Sequence, residues 1–110
     1  TADALLDFAA GMLAATALAP ASIAALRTRH GPTRGLGWEI AYPGWPGGDA
    51  CSPETIGHTG FTGTGLWIDF TANRAWTLLT NRVHPSRHAD TGIAALRRAV
   101  GHLVCTAPDA

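Results

Sequence analysis

The spacing of apolar residues changes period once along this chain, near residue 34, and that change constrains the fold more than any other feature. Before it, Leu5, Phe8, Ala9, Met12, Leu13 and Thr16 recur at three- and four-residue intervals, the stripe of an amphipathic helix with Asp3 placed as N-cap. Leu18-Ala19-Pro20 breaks that helix, and Pro20 suits the first turn of a second one, with Ile23 and Leu26 inward and Gly31-Pro32 as its stop. After it, Leu36, Trp38, Ile40 and Tyr42 alternate with Gly37, Glu39 and Ala41, the two-residue repeat of a half-buried strand. A loop of Gly and Pro from Pro43 to Asp49 follows, and then three more strand candidates: Ile56-Gly57-His58-Thr59, Gly65 to Phe70, and Ala75 to Asn81. Leu66, Ile68 and Phe70 share one face of the second, Trp67 and Asp69 the other, and Thr71 to Arg74 is of hairpin length. Asp90 or Thr91 can cap a last helix with Ile93, Leu96, Val100, Leu103 and Val104 on one side, and Arg97, Arg98 and His102 facing away. This order predicts an α+β architecture: an antiparallel sheet of about four strands with two N-terminal helices and one C-terminal helix packed on it, in one domain spanning 1–110.

Composition decides which chemistries such a domain can carry. Eight basic side chains balance eight acidic ones, so no basic footprint for nucleic acid and no acidic arm is present. All eight are Arg. Without Lys, the chain supplies no Schiff-base amine, no phosphate-loop lysine and no Ser-Lys pair. Cys51 and Cys105 are too few for a disulfide scaffold and too far apart for a local metal knuckle; they read as small buried apolar residues, with pairing left open. No run approaches the about 20 apolar residues that span a bilayer. Ala4 to Ala19 resembles a secretory core, yet it lacks a basic leader and Asp3 and Asp7 interrupt it, so it reads as a helix of the mature protein and leaves the compartment open. The first residue is Thr, consistent with a piece of a longer translation product.

The densest unusual stretch is Gly57 to Gly65, four glycines in nine residues. Such a run weakens a strand unless it serves tight turns or lets a ligand or another backbone come close. His58, Thr59, Thr62 and Thr64 add donors that can hold an anionic or carbonyl oxygen. Other constellations are weaker. Ser52, His58 and Asp69 are triad residue types, but Ser52 precedes Pro53 in a loop and alternation gives the three no shared pocket. His84 and His88 have helical ligand spacing, but Pro85 and Arg87 argue for a solvated loop, and no metal or cofactor is expected. Of the four tryptophans, Trp38, Trp67 and Trp76 fall at core positions of strands, and only Trp45 suits a cleft rim.

His58-Thr59-Gly60, continued by Phe61-Thr62-Gly63-Thr64-Gly65-Leu66-Trp67-Ile68-Asp69 and then Leu78-Leu79-Thr80-Asn81-Arg82-Val83-His84-Pro85, resembles the C-terminal part of the penicillin-recognising serine hydrolases, which include class C β-lactamases, DD-peptidases and β-lactamase-like esterases. Gly35-Leu36-Gly37-Trp38-Glu39-Ile40 is similar to the segment that leads into this motif. The resemblance implies part of the β-lactamase/transpeptidase-like fold, with the H-T-G triplet on an edge strand beside the active site. It implies that His58 faces the cleft, that Thr59 hydrogen-bonds a polar substrate group, that Gly60 allows close approach, and that the Phe61 backbone amide is an oxyanion-hole donor. The implied partner is a small-molecule amide or ester, bound when this segment joins the rest of its domain. Relatives are often periplasmic or secreted.

Three departures qualify what the resemblance implies. His58 stands where β-lactamases commonly have Lys, which leans toward peptidases and esterases and makes carboxylate attraction weaker and pH-dependent. Phe70-Thr71-Ala72 replaces the usual Asp-Pro turn. Neither S-x-x-K nor Y-x-N is present: Ser22, Ser52 and Ser86 have no Lys, and Tyr42 is followed by Pro43-Gly44. The expectation is a C-terminal segment whose nucleophile lies elsewhere, inactive alone; the alternative is a catalytically silent binding or interaction module. Self-association through an exposed sheet edge is a further expectation.

Overall fold

The structure, a computed structural model, describes residues 1–108. Its elements run α1 (Ala2–Leu13), α2 (Pro20–Leu26), β1 (Glu39–Ile40), β2 (Ile56–Gly60), β3 (Thr64–Asp69), β4 (Arg74–Leu79) and α3 (Ile93–Thr106). The strands form one antiparallel meander in the order β1-β2-β3-β4. Three helices and a four-stranded antiparallel sheet are the α+β architecture expected from the change of period.

Alternation sorts the side chains into two cores, one on each face of the sheet. Ile40, Ile56, Leu66 and Ile68 meet Ala9 and Met12 of α1 and Ile23 of α2 in an aliphatic cluster. On the opposite face Trp67 and Trp76 stack with centroids 5.9 Å apart, and Trp45, Val100, Val104 and Cys105 close around them. Trp45 is 1% exposed and donates from Nε1 to the Gly48 carbonyl at 2.8 Å, so it belongs to this core and not to a cleft rim. Gly57 and Gly65 have a packing reason: a Cβ on either would run into the Trp67 indole, which lies across them. Half of the glycines in the 57–65 run therefore make room for one ring.

Four expectations shift once the chain is folded. Thr1, not Asp3, caps α1, its hydroxyl accepting from the Ala4 amide at 3.1 Å. The helix stops at Leu13 because the Thr16 and Ala17 amides both turn back onto the Gly11 carbonyl, at 2.8 and 3.0 Å, with Ala15 in the left-handed region; the stripe does not extend to Thr16. The first strand shrinks to Glu39–Ile40, because Gly35 to Trp38 forms a turn closed by Gly35 N–H on the Trp38 carbonyl at 2.9 Å, with Gly37 at φ +74. Turn chemistry overrides alternation there, and Leu36 is left exposed. The last helix is capped by Gly92 in place of Asp90 or Thr91, and it is rotated from the expected face: Leu103 is 68% exposed while Arg97 and Arg98 turn inward. Gly101 explains the rotation, since it is buried against Gly47, whose carbonyl occupies the space a Cβ would need.

Candidate functional site

The site begins where β1 ends. The Ala41 amide donates to the Thr55 carbonyl at 3.0 Å, which fixes the side of β2 that faces β1. Backbone polar groups alternate sides along a strand, so Gly57 and Thr59 direct theirs the same way. Glu39 pairs with Gly57, and the chain before Glu39 turns away at the Gly35–Trp38 bend. From His58 onward β2 therefore has β3 on one side and an open edge on the other. This is the edge that the H-T-G triplet was expected to occupy.

At the end of that edge the Gly60–Phe61 peptide is held from behind. The Gly60 carbonyl accepts from the Gly63 amide at 3.1 Å and from Arg97 Nη2 at 2.8 Å. In a planar trans peptide the N–H points opposite to the carbonyl, so the Phe61 N–H is aimed at the open side. Among the described residues it donates to no protein acceptor. At Gly60 a Cβ would meet Thr64 Oγ1 across the strand pair, so any side chain there would require the Thr64 hydroxyl to move. Gly63, at φ +101, makes the turn that returns the chain into β3.

Arg82 secures the same turn from outside. Its Nε donates to the Phe61 carbonyl at 2.7 Å, its amide to the Thr62 carbonyl at 3.0 Å, and its guanidinium lies 4.4 Å from the centre of the Phe61 ring. The Phe61 side chain is 64% exposed.

His58 and Thr59 point to opposite faces, as alternation along a strand requires. His58 is exposed, with Nδ1 2.7 Å from the Thr59 carbonyl and Nε2 3.0 Å from Arg34 Nη1. A guanidinium only donates and a carbonyl only accepts, so the ring bridges a donor on one side and an acceptor on the other. A groove of about 260 Å³ lies over the sheet between α1 and the ends of β2, β3 and β4, lined by Leu5, His58, Thr59, Thr64, Leu66 and Leu79 among others. It is mostly apolar, with His58 and Thr59 of β2 and Thr64 of β3 as its polar side chains.

A second cavity of about 300 Å³ lies under the Gly-Pro loop, lined by Ala41, Tyr42, Trp45 and Cys51 among others. Its candidate nucleophiles are not activated. Burial and then Glu39 push the Tyr42 phenol up, and burial does the same to the Cys51 thiol. Cys105 is pushed up to about 11, first by burial; both cysteines are free thiols.

Ser52, His58 and Asp69 do not assemble. Asp69 is 1% exposed and accepts from the amides of Ser52 and Ala72, each at 3.0 Å. Burial opposes its ionisation, but those hydrogen bonds prevail and hold the carboxyl below the usual range. It is a structural anchor for the loop before β2, and His58 lies on the other face of the sheet. Among the described residues no group of three His, Cys, Asp or Glu could hold a metal ion, and no helix is long and apolar enough to cross a membrane.

The residues that sequence reasoning missed are Arg34, Arg82 and Arg97. The signal was present in the absence of Lys: every basic side chain other than His is Arg, whose guanidinium carries five N–H donors against the three of an ammonium. Arg97 spans the Gly60 and Thr64 carbonyls, Arg74 those of Val104 and Ala107, and Arg29 those of Pro32 and Ala41.

A helix–sheet–helix sandwich that leaves a glycine-flanked strand end open defines the class: an α+β domain of the serine β-lactamase-like superfamily. The model of the family described as Beta-lactamase matches residues 1–100, and the chain belongs to that family. Over 63 residues it is 44% identical to the "Putative D-alanyl-D-alanine carboxypeptidase" of Salmonella enteritidis PT4 (strain P125109), a match covering 52% of this chain and 15% of that protein. The crystal structure of a β-lactamase from Mycobacterium bovis superposes with a TM-score of 0.70 at 25% identity, covering 88% of this chain and 40% of that one. The chain thus spans less than half the length of either relative.

Proposed function

We propose that this chain is the C-terminal segment of a β-lactamase-related serine hydrolase, supplying the H-T-G substrate strand and one oxyanion-hole donor to an active site whose nucleophile lies on another segment. The observation that carries the reading is the Phe61 N–H, directed to the open side of β2 and unpaired among the described residues. When a serine hydroxyl attacks an amide or ester carbonyl, the new C–O bond sends the π pair onto oxygen, and this amide is the donor that receives the charge. One such donor is worth about 3 to 4 kcal/mol to the transition state. Gly60 keeps the approach clear, His58 lines the groove with its ring held by Arg34, and Thr59 offers its hydroxyl to a polar substrate group.

The missing nucleophile makes the reading testable. The chain holds no S-x-x-K and no Lys of any kind, and it spans 15% and 40% of the lengths of two relatives. Incubated with a fluorescent penicillin or an activated ester, the isolated chain is expected to form no covalent adduct. A stoichiometric adduct on any residue contradicts the assignment of the nucleophile to another segment. In the longer reading frame, His58→Ala and Thr59→Ala are expected to lower turnover across an ester panel, and unchanged turnover in both contradicts the role given to the triplet.

A further inference from the structure

We infer that Arg97, reaching from α3 through the sheet margin, is the positioning residue of the Phe61 amide: it holds the Gly60 carbonyl from behind, and so sets both the direction and the strength of the donor on the other end of the same peptide. The inference rests on the oxyanion-donor reading above and deepens it.

Geometry supplies the first support. Arg97 Nη2 lies 2.8 Å from the Gly60 carbonyl and 3.0 Å from that of Thr64, the two residues that face each other where β2 and β3 meet. One guanidinium nitrogen therefore pins both sides of the turn. Because the peptide is planar, fixing the carbonyl fixes the N–H. A cation on the carbonyl also draws electron density through the amide, which makes its N–H a stronger donor in a chain of polarised hydrogen bonds.

The energetic setting supplies the second. The guanidinium is half-buried, and its Nε is buried with no hydrogen-bond partner among the described residues. An unsatisfied buried donor is unfavourable, and a residue that only needed to dock α3 would be better served by an aliphatic side chain. Burial first, and the Arg82 charge second, lower its pKa from the ordinary value, yet an arginine stays cationic at neutral pH. The neighbouring Arg98 provides the contrast. It docks the same helix through the Trp45 carbonyl and Asp49, and it does not touch β2.

The test titrates the isotopically labelled 110-residue chain with dimethylphosphinate, a monoanion that presents a tetrahedral centre with charged oxygens. The Phe61 amide resonance is followed. In the parent chain that resonance is expected to move downfield and saturate. Arg98→Met is expected to leave the response unchanged. Arg97→Met is expected to weaken binding roughly fivefold or more and to shift the free Phe61 amide upfield, while Arg97→Lys, which keeps a charged nitrogen donor on a flexible stem, restores part of the response. If Arg97→Met and the parent chain respond alike, or if Arg98→Met weakens binding as much as Arg97→Met, the inference is overturned while the oxyanion-donor reading stands. If the parent chain itself shows no response at Phe61, that reading fails and takes the inference with it. Should Arg97→Met not fold, the parent chain still decides: a through-hydrogen-bond coupling between the Arg97 guanidinium nitrogen and the Gly60 carbonyl carbon supports the inference, and its absence contradicts it.

Discussion

The two ends of β2 differ more than five consecutive residues ordinarily do. At Ile56 and Gly57 the strand lies between β1 and β3, both residues are buried, and the Trp67 indole covers the glycine. At His58 to Gly60 the neighbour on one side is gone, His58 is exposed, and the last peptide ends in an amide without a protein partner. The first end holds the sheet together and the second leaves it unfinished. What separates them is the Gly35–Trp38 turn, which ends β1 two residues into its pairing. An open edge thus arises from a strand cut short, with no special side chain needed to create it.

If the ends divide labour in this way, substitutions should divide as well. Trp67→Ala removes the largest side chain over the closed end and is expected to destabilise the chain by about 3 to 5 kcal/mol in urea unfolding. Gly57→Val should follow at about 1 to 3 kcal/mol, because its branched Cβ meets the indole and the ring cannot retreat from Trp76. Asp69→Ala, which leaves the Ser52 and Ala72 amides without their acceptor, is expected to lose about 1 to 3 kcal/mol. At the open end His58→Ala should change stability by no more than about 0.5 kcal/mol. A loss at His58 as large as that at Gly57 would erase the contrast.

Acid sharpens the same contrast. The Asp69 carboxyl is depressed in the folded chain, so its ionisation contributes stability at pH values above the ordinary carboxylate pKa of about 3.9. That contribution is lost as pH falls through the lower folded value. Urea midpoints should therefore hold level from neutrality to about pH 5 and decline below about pH 4. Asp69→Asn should flatten the decline, and a variant that declines as steeply as the parent contradicts the anchor role.

Much of the closed end was legible in the sequence, and less of the open end. Alternation from Leu66 to Phe70 assigned the two faces of β3 correctly, because a buried strand has no freedom in which residues turn inward. The H-T-G-F run marked where an edge belonged. What alternation could not reveal was that Gly35 and Gly37 would turn the chain away before Glu39, since Leu36, Trp38, Ile40 and Tyr42 satisfy a strand pattern equally well. Periodicity also misjudged α3. A helix stripe ranks Arg below Leu for burial, but Gly101 must face the Gly-Pro loop, and with that face fixed Arg97 and Arg98 come inward to find carbonyls while Leu103 is left in water. The arginine staples depend on carbonyl positions in three dimensions, which one-dimensional patterns do not carry.

Residue-resolved amide hydrogen exchange reads the difference between the two ends most directly. The Phe61 amide is expected to exchange within about tenfold of an unstructured peptide, while Trp67 and Ile68 of the central strand are protected to the level of global unfolding. Protection of Phe61 matching that of the central strand would mean that its N–H is already engaged by the protein and has nothing to offer a substrate oxygen.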